Sequence, residues 1–107
     1  MTSRVEFAPE ALAQLESRSA WWRANRDDGD LLDRELAHAV DYIAEHGTAL
    51  PVVMEVGARK IRRCLLPKTR CHLYFEVEGD VIRIVSAWGA KMEKPPPIQP
   101  RPPAQVP

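Results

Sequence analysis

Residues 58–91, ARKIRRCLLPKTRCHLYFEVEGDVIRIVSAWGAK, decide the fold. They read as three consecutive strands: Ala58–Leu66, closed by Pro67, Lys68 and Thr69; Cys71–Glu78; and Val81–Trp88, ended by Gly89. Gly79-Asp80, between two β-rich runs, is a two-residue hairpin signal. With that turn, Glu78 faces Val81, Val77 faces Ile82 and Phe75 faces Ile84. Continued without a break, the register sets Leu73 against Ser86 and Cys71 against Trp88. Alternation then makes this one apolar face and puts His72, Tyr74, Glu76, Arg83, Val85 and Ala87 on the other. Glu76 opposite Arg83 is a favourable cross-strand pair.

The first strand admits two registers. Leu65 opposite Cys71 sets Ile61 beside Phe75 on the apolar face; a one-residue slip sends Lys60 and Arg62 there instead. An unpaired buried charge is costly, so the first register is the expected one. It leaves Arg63 at an edge with its head reaching solvent. It also gathers Lys60, Arg62, Cys64, His72, Tyr74 and Arg83 on a basic, partly aromatic outer face.

At 107 residues the chain suits one domain with a modest core. Its net charge is zero but unevenly spread. Residues 1–56 hold 5 basic and 11 acidic side chains, a balance of −6, and residues 57–107 hold 10 and 4, a balance of +6. Between Arg59 and Arg70 stand six basic residues and no acid. Zero net charge argues against bulk nucleic-acid binding, yet the split leaves a positive surface suited to RNA, a DNA–protein complex or an acidic protein. Cys64 and Cys71 are too few for a secreted disulfide framework, and in the expected register they face opposite sides of the sheet. No signal-peptide pattern or membrane-length apolar run is visible, so the cytoplasm is the expected location and no membrane partner is expected. Cys64, Cys71, His38, His46 and His72 lack metal-ligand spacing, and there is no Gly-rich phosphate loop; neither metal nor cofactor is expected.

The remaining elements follow in order. Arg4–Ala8 alternates as a short strand. Pro9 suits the first position of a helix that Ala8 caps poorly, and Leu12, Leu15, Ser19 and Trp22 carry its stripe to about Asn25. Trp21 lies about 100° from that stripe and is a candidate partner anchor. A turn at 26–30 ends on Asp30, a capping residue for a second helix with Leu32, Leu36, Ala39, Val40 and Ile43 inward and Gly47 as its stop. Two helices so closely linked predict an antiparallel hairpin over the Leu73/Phe75/Ile84 face. Pro51–Val56 reads as either an extended segment or a strand. Seven of the ten prolines follow Met92, so residues 1–92 are the expected domain and 93–107 an extended, loosely held tail. The expected fold is α+β, β-α-α-β-β-β, a helical hairpin packed on one face of a curved antiparallel sheet.

This ordered set resembles the RelE/ParE superfamily of toxins from bacterial type II toxin–antitoxin pairs. The pieces are Val5-Glu6-Phe7-Ala8-Pro9-Glu10-Ala11, Trp21-Trp22-Arg23-Ala24-Asn25-Arg26, Ile61-Arg62-Arg63, Thr69-Arg70-Cys71-His72-Leu73-Tyr74-Phe75 and Ala87-Trp88-Gly89-Ala90-Lys91. They span most of residues 4–91 and exclude the proline tail. The resemblance implies a toxin neutralised by a cognate antitoxin that wraps it with a helix and an extended segment. It implies one of two activities: inhibition of DNA gyrase, as in ParE-like members, or ribosome-dependent cleavage of messenger RNA, as in RelE-like ones. RNA cleavage needs proton transfer and phosphate-charge stabilisation. On the RelE-like reading His72 is the acid or base, and Arg62, Arg83 and Lys91 hold the phosphate. RelE-like members usually carry a tyrosine near the C-terminus, and residues 92–107 have none. That gap and the histidine at position 72, where such members often have arginine, tilt the resemblance to ParE-like. Lys60, Arg62, Arg63, Arg70, Tyr74, Lys91 and Trp21 are then the expected contacts to target or antitoxin.

Overall fold

A computed structural model describes residues 3–90 and 94–98. The elements are β1 (Arg4–Phe7), α1 (Pro9–Asn25), α2 (Leu31–His46), a short 3-10 turn (Gly47–Ala49), β2 (Val52–Val56), β3 (Arg59–Leu66), β4 (Cys71–Glu78) and β5 (Val81–Gly89). The strands form one sheet in the order β1-β5-β4-β3-β2. β1 joins β5 in parallel, and the other pairings are antiparallel. The sheet is thus mixed, and Pro51–Val56, left open between extended segment and strand, supplies a fourth consecutive C-terminal strand.

The α1–α2 hairpin covers one face. Ala11 and Leu15 from α1 and Leu32 and Ile43 from α2 meet Leu66, Cys71, Leu73, Phe75, Ile82, Ile84 and Ala87 in a single buried cluster. Each large side chain there contributes about 2 kcal/mol by leaving water. Leu12, expected in the stripe, is instead exposed, and Ala11 takes its place against the sheet. Pro9 opens α1 without a side-chain cap; the Ala8 amide donates to the Ile84 carbonyl (2.8 Å), so the sheet fixes the helix start. Asp30 precedes α2 but makes no capping bond, because its carboxylate pairs with Arg34 (3.3 Å). Gly47 keeps right-handed helical angles, and its value is space: a Cβ there would lie 3.0 Å from Ile82 Cδ1 and 3.4 Å from the Phe75 ring.

Two registers differ from expectation. The Gly79-Asp80 hairpin pairs as read from Glu78↔Val81 to Phe75↔Ile84, with Gly79 at φ 59°. Beyond it the ladder shifts by one, leaving Val85 as a bulge and pairing Tyr74 with Ser86, Leu73 with Ala87 and His72 with Trp88. Ala87 therefore joins the helix-side core, and Trp88 moves to the outer face. Gln14 of α1 completes the bulge: its Oε1 accepts the Ala87 amide (2.8 Å) and the Ser86 hydroxyl (3.2 Å).

On β3 the structure pairs Leu66 with Cys71, Cys64 with Leu73, Arg63 with Tyr74 and Arg62 with Phe75. The expected pairing of Leu65 with Cys71 is off by one, which exchanges the faces of the strand. Ile61 and Arg63 stand outside; Arg62 and Cys64 turn toward the helices. Arg62 pays no unpaired-charge penalty there, because its guanidinium donates to the carbonyls of Thr48 (3.0 Å) and Leu50 where the chain leaves α2. Cys64 and Cys71 share a face, offset along the strands, and both thiols are free.

Candidate functional site

The outer face of the sheet has its own small core. Ile61, Tyr74 and Val85 are buried in it, with Met54, Trp88 and Ile98 packed around them. Ile98 belongs to the proline segment, so the tail is not loose along 94–98: the Trp88 indole donates to the Lys94 carbonyl (3.0 Å), and Pro96 is buried. Beside it lies a cleft of about 340 Å³ lined by Met54, Arg63, His72, Tyr74, Trp88 and Pro96. The His72 and Tyr74 rings meet edge-on at 6.0 Å between centroids. Burial, then the nearby Arg63 and Arg70 cations, pull the His72 pKa below its ordinary value. An imidazole held toward its neutral form, with Arg63 beside it, is the chemical character of this cleft.

The sequence-derived cations do not gather in one place. Arg63 belongs to the His72 cleft. Arg62 lies on the helix side, so Arg62 and His72 are on opposite faces of the sheet. Arg83 faces Glu76 four residues along β4 from His72, about 13 Å away by strand rise, and reaches Glu6 at 3.7 Å. Glu76, almost fully buried, is also gripped by Arg59 (2.7 Å). Lys60 is exposed opposite Glu55 on the outer hairpin. Lys91 lies outside the described residues. The group His72, Arg62 and Arg83 is therefore not gathered around one phosphate position. Tyr74 is 6% exposed beneath the tail, its ring covered rather than open for stacking.

Arg70 and Trp21 meet elsewhere, in a notch of about 530 Å³ between α1 and the β3–β4 turn, together with Arg18, Arg26 and Lys68. The six-cation run of 59–70 flagged Lys68 and Arg70; Arg18 and Arg26 reach them only through the fold. A third depression, about 540 Å³, runs between α2 and the end of β3, with Leu31, Ala39, Tyr42 and Leu65 on its walls. Tyr42 and Leu65 are among the exposed large apolar side chains, as are Val52, Val53 and Val56 on edge strand β2. Burial raises the pKa of Cys64, and burial chiefly raises that of Cys71, so both thiols are protonated at neutral pH. Among the described residues no three His, Cys, Asp or Glu side chains converge as metal ligands do, and no helix is long and apolar enough to cross a membrane.

A helical hairpin over one face of a five-stranded sheet, entered by a parallel N-terminal strand, is the α+β architecture of ParE-like toxins. A solved structure described as the chromosomal ParDE TA system from P. aeruginosa contains a chain similar to this one. The TM-score is 0.70 at 14% sequence identity, over 84% of this chain and 98% of that chain. At that identity the likeness is one of fold. No family model matches the chain, and no curated protein matches it.

Proposed function

We propose that the protein is the toxin of a type II toxin–antitoxin module, neutralised by a cognate antitoxin, and that it inhibits DNA gyrase as ParE-like toxins do. The observation carrying this reading is the ParDE fold match, which spans nearly the whole of the other chain. The site chemistry leans the same way. An RNA-cleaving site needs an acid/base and phosphate-binding cations around one scissile bond. Here Arg62 lies on the other face from His72, Arg83 stands four residues along the sheet, and the tail covers part of the cleft. Protein-directed inhibition needs no such assembly.

The antitoxin has two natural seats. An amphipathic helix fits the apolar depression along α2, and an extended segment can pair with the open edge of β2, where Val52, Val53 and Val56 are exposed. The test is induction of the chain in bacterial cells with and without the partner gene. DNA breaks and SOS induction, plus loss of supercoiling by purified gyrase, are the expected results. Shortened messenger RNA with intact DNA transfers the reading to the RelE-like alternative, which neutral His72 beside Arg63 and Arg70 favours. Unimpaired growth without the partner removes both.

A further inference from the structure

We propose that the notch between the end of α1 and the β3–β4 turn binds single-stranded nucleic acid, with a base on Trp21 and backbone phosphates on Arg18, Lys68 and Arg70. This site is separate from the His72 cleft, and the proposal does not rest on the toxin reading. Four cations converge there, and the lining contains no carboxylate. Among the described residues none of the four makes an ion pair. Of the acids around the end of α1, Asp33 pairs with Arg23, and Asp28 and Asp30 pair with Arg34, while Glu16 and Asp27 lie outside the lining. The chain is neutral as a whole, yet four cations outnumber the one carboxylate bonded to this corner, Glu35 beneath the turn, and leave a net positive field there.

The turn carrying two of those cations is rigid. Glu35 of α2 accepts the Lys68 amide (2.7 Å), the Thr69 amide (3.0 Å) and the Thr69 hydroxyl (2.6 Å). The Arg70 amide donates to Leu66 (2.9 Å), and its carbonyl accepts from Ala90 (2.8 Å). Arg70 is held at φ 58°, the one non-glycine residue with positive φ among those described. A bulky side chain fixed in that conformation costs about 1–2 kcal/mol, and such strain concentrates at binding sites.

The second component is aromatic. Trp21 is 49% exposed, edge-on to Trp22 at 5.8 Å, with the Arg26 guanidinium 5.6 Å from its ring centre. An acidic peptide offers charge but no flat π-face for the open indole. A nucleotide offers both, and a volume of about 530 Å³ suits one or two of them. The shallow, one-cornered field suits a short single strand rather than a duplex, which would also meet the acidic N-terminal half.

The experiment is fluorescence anisotropy of the full chain with a labelled oligothymidylate of about ten nucleotides, at low and moderate salt. Trp21→Ala should weaken binding about tenfold, the value of one stacked base. Lys68→Glu and Arg70→Glu should each weaken it and flatten the salt slope by about 0.7 per lost phosphate contact. Arg4→Glu, the same charge change on β1, should do much less. Inorganic polyphosphate, which has no base, should compete equally with wild type and Trp21→Ala. Circular dichroism confirms that each variant is folded, and Trp21, Lys68 and Arg70 are exposed enough to be replaced without opening the core. The proposal is overturned if the oligonucleotide fails to bind at low salt, if Trp21→Ala binds like wild type, or if Arg4→Glu costs as much as Arg70→Glu. It is also overturned if polyglutamate binds as tightly as the oligonucleotide, since the notch is then a seat for an acidic polypeptide.

Discussion

Gln14→Ala should destabilise the protein far beyond what a partly exposed helix residue ordinarily costs. The Ser86 hydroxyl and the Ala87 amide lie just past the β5 bulge, and both residues are almost fully buried. Gln14 Oε1 accepts from both, at 2.8 and 3.2 Å. A buried donor stripped of its acceptor costs about 1–3 kcal/mol. The hydroxyl can rotate to another acceptor, so most of the loss falls on the amide, and about 2 kcal/mol is the expected total. With a urea slope of about 1.5–2 kcal/mol/M, the midpoint should fall by roughly 1 M. Gln14→Leu, which keeps bulk over the amide and excludes water, should cost at least as much. Gln14→Glu, which keeps an acceptor, should recover most of the loss. Hydrogen exchange reads the same event at one site: the Ala87 amide should become one of the fastest-exchanging positions of β5. A Gln14→Ala loss below about 0.5 kcal/mol, or a Glu variant no better than Ala, would refute the claim that α1 stabilises the bulge through this oxygen.

Glu76→Ala should cost about 3 kcal/mol in urea unfolding, because it removes the carboxylate of a largely buried ion pair with Arg59; Glu76→Leu combined with Arg59→Met should recover much of it. His72 carries a depressed folded-state pKa, so the unfolded chain binds more protons as pH falls through about 6.5. Stability should therefore be full above that pH and decline below it toward the folded-state pKa, and His72→Gln should flatten that part of the stability–pH curve. Arg70→Gly should stabilise the chain by roughly 0.5–1 kcal/mol in thermal or urea unfolding, relief of the φ 58° strain exceeding glycine's greater unfolded-state freedom.

Element type was legible because it rests on periodicity and punctuation. Gly79-Asp80 set the β4–β5 hairpin, Pro9 the start of α1, and the Leu32–Ile43 spacing the buried stripe of α2. What was not legible depended on partners distant in sequence. The expected β3 register keeps Arg62 out of the core, a sound rule for an unpaired charge. The Thr48 and Leu50 carbonyls that satisfy Arg62 are 14 and 12 residues away, at the end of a helix whose position only the fold provides. The Val85 bulge carries no glycine to announce it, and its stabilising acceptor is 73 residues from Ala87. Those two slips redistributed the candidate site: Arg62 left the outer face, and Trp88 arrived on it. The proline segment followed Trp88, since the indole it anchors to had been assigned to the opposite side.

The parallel pairing of Arg4–Phe7 with Val81–Ile84 closes a loop that takes in both helices and the other three strands. Closing so long a loop is entropically expensive and gives this contact little chance of forming early. As the chain leaves the ribosome, β1 waits for β5. β1 is then made well before the strand that holds it and is among the last elements to be locked down, and any copy cut short before the β4–β5 hairpin lacks that strand.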